Sequence, residues 1–327
     1  MIPVKTALLQ VVVAAALLGP GAGAAVAQER PAKRVADIVG VALAEYEKGI
    51  DSAGRLISQL EFEEAVSFLG TARENAQRLS GTGADSARLA LDSLAAAVSR
   101  RVPPRSLDRW RDLFLSALGA DAALELPTVP VDLVAGERLY AQHCASCHGP
   151  RGMADGPASA GMTPPPPALG SAEVMRNVPP DLMYRITSVG IAGTPMAAFG
   201  ETLSADDRWN IVSWVNGLRA PVGGGMAVGE GVWLQRCASC HGVGGGSNGP
   251  MSVSLSRLPR ELSSFAWQAE RSDAQVAAAI RNGIAGTAMP AARELTAAEL
   301  DGLVAWVLPG KWPDLLPVSL PGCTQHA

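Results

Sequence analysis

The sequence predicts an all-α protein, in which an N-terminal helical bundle is followed by two copies of a smaller helical domain. Three observations predict this arrangement. Apolar residues recur every three or four positions from residue 32 to about residue 126, as they do in amphipathic helices. A segment of about 90 residues then occurs twice. Proline-rich and glycine-rich stretches mark the joins.

The composition excludes two broad classes of protein. The chain has 327 residues, a formal net charge of −4, 48% apolar residues and 18% charged residues. It is too apolar for a disordered chain. Its mildly acidic balance, without a Lys/Arg block, argues against a nucleic-acid-binding protein. Only 5% of the residues are aromatic, so we expect another group to fill part of the cores.

Residues 1–27 have the pattern of a cleaved export signal. Lys5 precedes an apolar run from Ala7 to Leu18, and Ala25-Val26-Ala27 is a small-x-small cleavage site. The run is shorter than the roughly 20 residues of a membrane span, although an uncleaved anchor is the alternative. No later stretch is long and apolar enough to span a bilayer. We therefore expect a periplasmic protein that does not span the membrane after cleavage.

The helical pattern and its breaks predict the boundaries of the domains. Gly81, Gly83 and Pro103-Pro104 separate three or four helices of the bundle, and Pro127–Val131 cannot continue a helix. The predicted segments are a signal peptide (1–27), a helical bundle (28–126), a first repeat domain (131–220), a second repeat domain (227–316) and a flexible tail (317–327).

The repeat is defined by matching motifs about 93 residues apart. Cys144-Ala-Ser-Cys147-His148 recurs as Cys237-Ala-Ser-Cys240-His241, and Gly190-Ile-Ala-Gly-Thr-Pro-Met196 recurs as Gly283-Ile-Ala-Gly-Thr-Ala-Met289. A period of this length is the size of a small domain and too long for a solenoid unit. The sequence therefore predicts a duplicated domain.

The C-x-x-C-H element of each repeat is typical of covalent c-type haem attachment, in which both thiols bond to the haem and the histidine binds iron. The alternatives are a thioredoxin-like redox pair, a structural disulfide or half of a zinc site. Neither repeat contains a second Cys or His pair to complete a zinc site. The flanking sequence is helical, whereas a redox C-x-x-C is expected in a βαβ context. We predict two haem groups, attached at Cys144, Cys147, Cys237 and Cys240.

The second axial ligand of each haem is predicted by spacing. Met196 lies 48 residues after His148, and Met289 lies 48 residues after His241. Both methionines follow a loop-forming Gly-Ile-Ala-Gly-Thr-x sequence, as expected for His/Met ligation. The alternative is that they are ordinary core or surface residues. Two other methionines, Met162 and Met251, have unequal offsets from their histidines and are disfavoured.

Each repeat resembles a class I cytochrome c domain. The likeness rests on Gly136…Tyr140, the Cys-x-x-Cys-His element, the methionine loop and a last helix with Trp209 and Trp214, and it covers about residues 131–310. The resemblance implies that the first and last helices of each domain cross closely, at Gly136 and at Gly229. By the same analogy, the carbonyls of Pro157 and Pro250 are expected to accept the Nδ1–H of the axial histidines.

Six-coordinate iron at both sites has no vacant position for a substrate, so we expect an electron carrier rather than an enzyme. A dihaem peroxidase, with one open or displaceable ligand, is the enzymatic alternative. A cytochrome subunit that serves a periplasmic dehydrogenase or a respiratory chain is another.

The order of segments resembles the periplasmic part of bacterial cytochrome c/high-affinity iron permease fusions. Leu43-Ala-Glu45-Tyr46 and Ser58-Gln-Leu60-Glu61-Phe62-Glu63-Glu64 carry that likeness in the bundle, and Asp155-Gly-Pro157 carries it in the first repeat. The resemblance implies Fe(II) oxidation linked to iron uptake. Because the chain has no transmembrane segment, we expect it to be a separate partner of a permease. The four glutamates are a candidate iron site; a solvated helix face is the alternative.

The remaining inferences concern the tail and the redox partner. Cys323 lacks a second thiol nearby and is predicted to be a free thiol, with an intermolecular disulfide as the alternative. Loss of Lys5 with the signal leaves 26 basic and 31 acidic residues, a net charge of −5. This charge, together with haem propionates, predicts a basic redox partner. The haem groups also explain the shortage of aromatic residues, since each fills part of a core.

Overall fold

The computed structural model describes residues 30–219 and 225–308, so the predicted signal peptide and the tail with Cys323 lie outside the described residues. Within these two ranges the chain is helical and contains no β-strand; an isolated bridge pairs Ile50 with Leu56. The predicted all-α class is therefore confirmed. In the same ranges, no helix combines the length and the apolarity needed to cross a membrane.

Four helices form the N-terminal bundle: α1 (Pro31–Gly49), α2 (Gln59–Ala76), α3 (Ala84–Ser99) and α4 (Asp108–Leu118). The breaks follow the sequence, because α3 begins directly after Gly83 and Pro104 begins a 3₁₀ turn before α4. Ser58 caps α2, where its side chain accepts a hydrogen bond from the backbone N–H of Glu61. The apolar stripe of α1 is buried between the helices, as shown by Val35, Ile38, Val39, Ala42 and Tyr46.

The first repeat contains five helices: α5 (Leu133–His143), α6 (Ala145–His148), α7 (Ala172–Met175), α8 (Pro180–Val189) and α9 (Ala205–Leu218). We call α5–α9 domain 1. Side chains of Asp132 and Ser204 cap α5 and α9 by accepting hydrogen bonds from backbone N–H groups in the first turn. These two helices cross, and their contact places the α5–α6 junction beside the core of the domain.

The second repeat has the same order of helices: α10 (Gly225–Arg236), α11 (Ala238–His241), α12 (Phe265–Ala269), α13 (Asp273–Asn282) and α14 (Ala297–Val307). We call α10–α14 domain 2. Ser272 and Thr296 begin capping boxes at α13 and α14. The first helix, α10, crosses the last helix, α14, as α5 crosses α9 in domain 1.

The bundle packs directly on domain 1, through α1 and α8. Leu182 of α8 belongs to the buried apolar cluster of the bundle. Beside it, Arg185 forms an ion pair with Asp37 of α1 at 2.5 Å, and Lys33 also pairs with Asp37. The Asp37 side chain is only 3% exposed, so the two cations compensate a buried carboxylate. This network fixes the bundle against domain 1.

Domain 2 also packs on domain 1. Phe265 of α12 lies edge-on to Trp209 of α9, with 4.9 Å between the ring centroids. The backbone N–H of Ala274 donates to the carbonyl of Arg176 at 2.9 Å. Domain 1 therefore contacts both the bundle and domain 2.

Candidate functional site

Each Cys-x-x-Cys-His element forms a single helical turn that follows the first helix of its domain. Cys144 is the residue between α5 and α6, and its carbonyl accepts the backbone N–H of His148 at 2.9 Å. The same bond joins Cys237 and His241 at 2.9 Å. The turn brings the two thiols of each element to one side of the helix, since residues three apart share a face.

None of the four cysteines of these elements is part of a disulfide, and all four are half-buried. Burial, and to a lesser extent the neighbouring Cys147, raises the pKa of the Cys144 thiol to about 12. In the polypeptide alone this thiol is therefore protonated at neutral pH. The predicted alternative of a structural disulfide is not what the structure contains at these positions.

A backbone carbonyl orients each predicted axial histidine. Nδ1 of His148 lies 3.3 Å from the carbonyl oxygen of Pro167, and Nδ1 of His241 lies 3.3 Å from that of Arg260. A proton on Nδ1 then donates to the carbonyl, and Nε2 is left as the nitrogen that can bind a metal. Burial lowers the pKa of His148, while the hydrogen bond to Pro167 opposes this shift. Burial is the larger effect, so the pKa of His148 is lowered overall, which favours the neutral imidazole that can bind a metal.

The expectation that Pro157 and Pro250 supply these carbonyls is wrong. Gly156, before Pro157, packs behind the helical turn: a Cβ added to it would lie 2.4 Å from the carbonyl oxygen of Ser146. Gly249, before Pro250, has the same relation to Ser239 at 2.4 Å. These glycines therefore pack against the backbone of the Cys-x-x-Cys-His turns. The carbonyl that meets each histidine ring belongs to the residue 19 positions after that histidine.

The two methionine loops have matching hydrogen bonds. In domain 1 the backbone N–H of Ile191 donates to the carbonyl of Met196 at 3.1 Å, and the Thr194 hydroxyl accepts the N–H of Met196 at 3.2 Å. In domain 2 the corresponding distances are 3.3 Å, from Ile284 to Met289, and 3.2 Å, at the Thr287 hydroxyl.

A glycine begins each methionine loop. Gly190 has φ +70° and Gly283 has φ +66°, and a Cβ on either would lie 2.7 Å from the carbonyl oxygen of the methionine of its own loop. Glycine is therefore needed at both positions for the loop to close. The shared sequence Gly-Ile-Ala-Gly-Thr-x-Met produces one backbone geometry twice, with both methionines half-buried.

The crossing of the first and last helices is confirmed as predicted. A Cβ on Gly136 would lie 2.2 Å from the carbonyl oxygen of Asn210. A Cβ on Gly229 would lie 2.0 Å from that of Gly302. Only glycine allows the two backbones to approach so closely.

An aromatic side chain next to each crossing connects it to the Cys-x-x-Cys-His turn. Tyr140 packs on Trp214, and its hydroxyl donates to the carbonyl of Gly149 at 2.8 Å. In domain 2, Trp233 packs on Trp306, and its indole N–H donates to the carbonyl of Gly242 at 3.2 Å. Sequence reasoning identified the aromatic residues but missed these bonds, whose signal is the constant spacing of nine residues.

Of the four glutamates predicted as a candidate iron site, three lie close together. Glu45 of α1 and Glu61 and Glu64 of α2 place carboxylate oxygens within 4.8 Å of one another, whereas Glu63 is exposed and bonds to Gln59. We call Glu45, Glu61 and Glu64 the carboxylate cluster. A solvated helix face does not describe Glu45, whose side chain is 7% exposed.

The carboxylate cluster is only partly neutralised. Burial, followed by a hydrogen bond with Glu61, raises the pKa of Glu45 to about 7. Lys48 opposes this shift, since its ammonium lies 2.6 Å from a carboxylate oxygen of Glu45. Three acidic groups therefore face one lysine at this position.

Comparison with known proteins was made on the whole chain. Residues 131–215 and 224–307 each match the family model described as cytochrome c oxidase, cbb3-type, subunit III, and together they cover just over half of the chain. No curated protein matches. Among solved structures, a chain of the reducing HAO-like protein complex of Kuenenia stuttgartiensis is 21% identical, with a TM-score of 0.25. The alignment covers 56% of this chain and 98% of that chain. At this TM-score the likeness carries no argument.

Proposed function

The chain belongs to the cytochrome family described as cytochrome c oxidase, cbb3-type, subunit III, and from this premise we propose that it is a periplasmic dihaem c-type cytochrome that transfers single electrons. Membership of this family implies covalently bound haem c. The observation that supports two haems is the repetition of one geometry: each domain has the same helical turn, the same histidine–carbonyl distance and the same methionine loop.

The residues present fit a covalently attached haem. Cys144 and Cys147 would form the thioethers in domain 1, with His148 and Met196 as axial ligands of the iron. The free state of the thiols and the engaged Nδ1 of the histidine are the observations that support this assignment. When bound, haem supplies a reversible one-electron change at its iron.

Domain 2 supplies the same set of groups. Cys237 and Cys240 would attach the second haem, and His241 and Met289 would ligate its iron. The hydrogen bond of Trp233 restrains the turn, and the carbonyl of Arg260 orients the imidazole of His241. Neither contact requires a bound haem. A pre-oriented ligand set of this kind favours one coordination geometry in both oxidation states, as electron transfer requires.

The test of this proposal is a count of haems and of their ligands. Pyridine haemochrome spectra of the holoprotein should give two haems c per chain. The Met–Fe(III) absorption band near 695 nm should have the intensity of two centres, and Met196→Ala should halve it while both haems remain attached. A band that counts for one centre or none would favour a haem with a displaceable ligand, as in a peroxidase.

We propose further that the electrons come from Fe(II), in a reaction linked to iron uptake. The carboxylate cluster supports this part of the proposal, since hard cations bind carboxylate oxygens and three of them lie within 4.8 Å here. In the reaction one Fe(II) becomes Fe(III), and one electron passes to the cytochrome. No covalent bond to the protein is made or broken.

Two measurements on the oxidised holoprotein test the iron step. Calorimetric titration with Fe(II) measures binding, and the absorbance at 550 nm then measures haem reduction. Glu45→Gln should weaken Fe(II) binding at least tenfold, and haem reduction should slow with it. Glu63→Gln is the matched control: it removes one carboxylate from α2, the helix that carries Glu61 and Glu64, and should change binding less than twofold. Equal binding by both variants, or no binding heat in the reference protein, would refute the iron step but not the dihaem assignment.

A further inference from the structure

The bundle covers the methionine loop of domain 1. Ile38 of α1 and Phe68 of α2 line a cavity of about 250 Å³ together with Ile191 and Met196. Ile191 also packs against the apolar cluster of the bundle. The bundle therefore blocks the side of this loop that carries Ile191.

The equivalent loop of domain 2 is open. Ile284, the counterpart of Ile191, is 48% exposed, and Thr287, the counterpart of the half-buried Thr194, is exposed. The two loops have matching internal hydrogen bonds, so the difference comes from what covers them. The methionine loop of domain 2 is therefore more open to solvent than that of domain 1, in which Ile191 and Thr194 are half-buried.

The two domains also differ in where their exposed arginines lie. Three exposed arginines of domain 2, Arg257, Arg260 and Arg293, replace three uncharged residues of domain 1, Pro164, Pro167 and Gly200, at the offset of 93 residues. We call these three arginines the arginine face. None of them forms an ion pair with any residue that the structure describes.

Two members of the arginine face adjoin the predicted axial ligands of domain 2, one by contact and one in the sequence. Arg260 accepts the histidine hydrogen bond through its own carbonyl, 3.3 Å from Nδ1 of His241, and Arg293 follows Met289 by four residues. The adjacent acids neutralise the face only in part. Glu294, next to Arg293, is paired with Arg236 at 2.5 Å, and Glu299 interacts with both members of that pair. Glu261 is the residue after Arg260.

We propose that the arginine face is the docking surface for a redox protein with an acidic surface, and that electrons are exchanged with this partner through domain 2. The proposal rests on the proposed function of domain 2 as a haem domain. The net charge of the chain predicts a basic partner, but association is steered by the charge near the contact, because exposed charges are screened beyond about 8 Å in physiological salt. One electron passes between the iron of domain 2 and the redox centre of the partner.

The experiment uses plastocyanin, an acidic blue-copper protein, as the probe. Reduced holoprotein is mixed with Cu(II) plastocyanin in a stopped-flow instrument at several ionic strengths. The dissociation constant of the two oxidised proteins is measured by calorimetry. The test variant is R257E/R260E/R293E. Its matched control, R78E/R105E/R109E, makes the same change in net charge at three exposed arginines of the bundle that form no ion pair within the described residues.

In the reference protein the bimolecular rate should fall as salt rises. The test variant should lose at least tenfold in rate at low salt, since electrostatic steering changes association rates by about 10- to 1,000-fold, and its dissociation constant should rise. The control should change both quantities less than twofold. Equal losses in the two variants would overturn the inference, and so would a rate in the test variant like that of the reference. A haem count below two would instead refute the proposed function itself.

Discussion

Replacing Gly229 by alanine tests the helix crossing on which the second domain is built. The added Cβ would lie 2.0 Å from the carbonyl oxygen of Gly302 and 2.3 Å from its carbonyl carbon. Real Cβ contacts essentially never fall below 3.0 Å, so α10 and α14 must separate by about 1 Å. This separation pulls apart Trp233 and Trp306, whose ring centroids are 4.5 Å from each other.

Two opposing effects determine how much Gly229→Ala changes the free energy of unfolding. Forcing extra volume into a packed contact costs about 1–3 kcal/mol, and here the upper end applies because the atoms that must move are backbone. Alanine regains about 1 kcal/mol of helix propensity over glycine. We therefore expect the free energy of unfolding to fall by about 2 kcal/mol. Gly231 lies in the same helix and has nothing within 4 Å of an added Cβ, so Gly231→Ala should raise it by about 0.5–1 kcal/mol.

The assay is guanidinium unfolding of the holoprotein, followed by circular dichroism at 222 nm and by tryptophan fluorescence. The quantity of interest is the difference between the two variants, because it cancels the effect of helix propensity. A difference of about 2.5–3 kcal/mol is expected. If Gly229→Ala unfolds with the same midpoint as Gly231→Ala, the close backbone contact is not what positions α10 against α14.

Two further substitutions test a predicted ligand and the packing of the bundle. Met289→His replaces a thioether ligand by an imidazole and should lower the potential of one haem by more than about 0.1 V, since axial ligands set haem potentials over about 0.8 V. The potential of the other haem should be nearly unchanged. Potentiometric titration measures both potentials. Arg185→Leu removes one of the two cations that compensate Asp37, whose side chain is 3% exposed. Breaking a buried pair costs about 3–5 kcal/mol, and because Lys33 remains, thermal unfolding should show a loss of about 2–3 kcal/mol.

Both substitutions have matched controls. For the ligand, Met251→His changes an exposed methionine of the same domain and should leave both potentials unchanged; equal shifts of the two haems in Met289→His would contradict independent sites. For the ion pair, Arg73→Leu breaks the Arg73–Asp92 pair, which is more than half exposed on both sides, and should cost less than about 1 kcal/mol. Equal losses from Arg185→Leu and Arg73→Leu would mean that burial does not strengthen the interface.

Much of the candidate site could be predicted without coordinates, because its features are local or repeated. The Cys-x-x-Cys-His turn and the Gly-Ile-Ala-Gly-Thr-x-Met loop are defined by neighbouring residues, so the same sequence adopts the same backbone twice. The resemblance to class I cytochrome c domains implied the crossings at Gly136 and Gly229, where only glycine lacks the Cβ that would separate the two helices. The spacing of apolar residues was sufficient to predict the bundle helices.

The features that the tertiary structure decided depend on residues far apart in the chain. The carbonyls at Pro167 and Arg260 have no side-chain signal, since every residue carries one, and only the path of the loop brings them to the histidines. Asp37 meets Arg185 across 148 residues. No local pattern encodes that contact. Nor does a local pattern encode that the bundle packs against one methionine loop and not against the other. The sequence by itself determined two equivalent sites; packing against the bundle made their surroundings different, because a helix can cover only the domain on which it is packed.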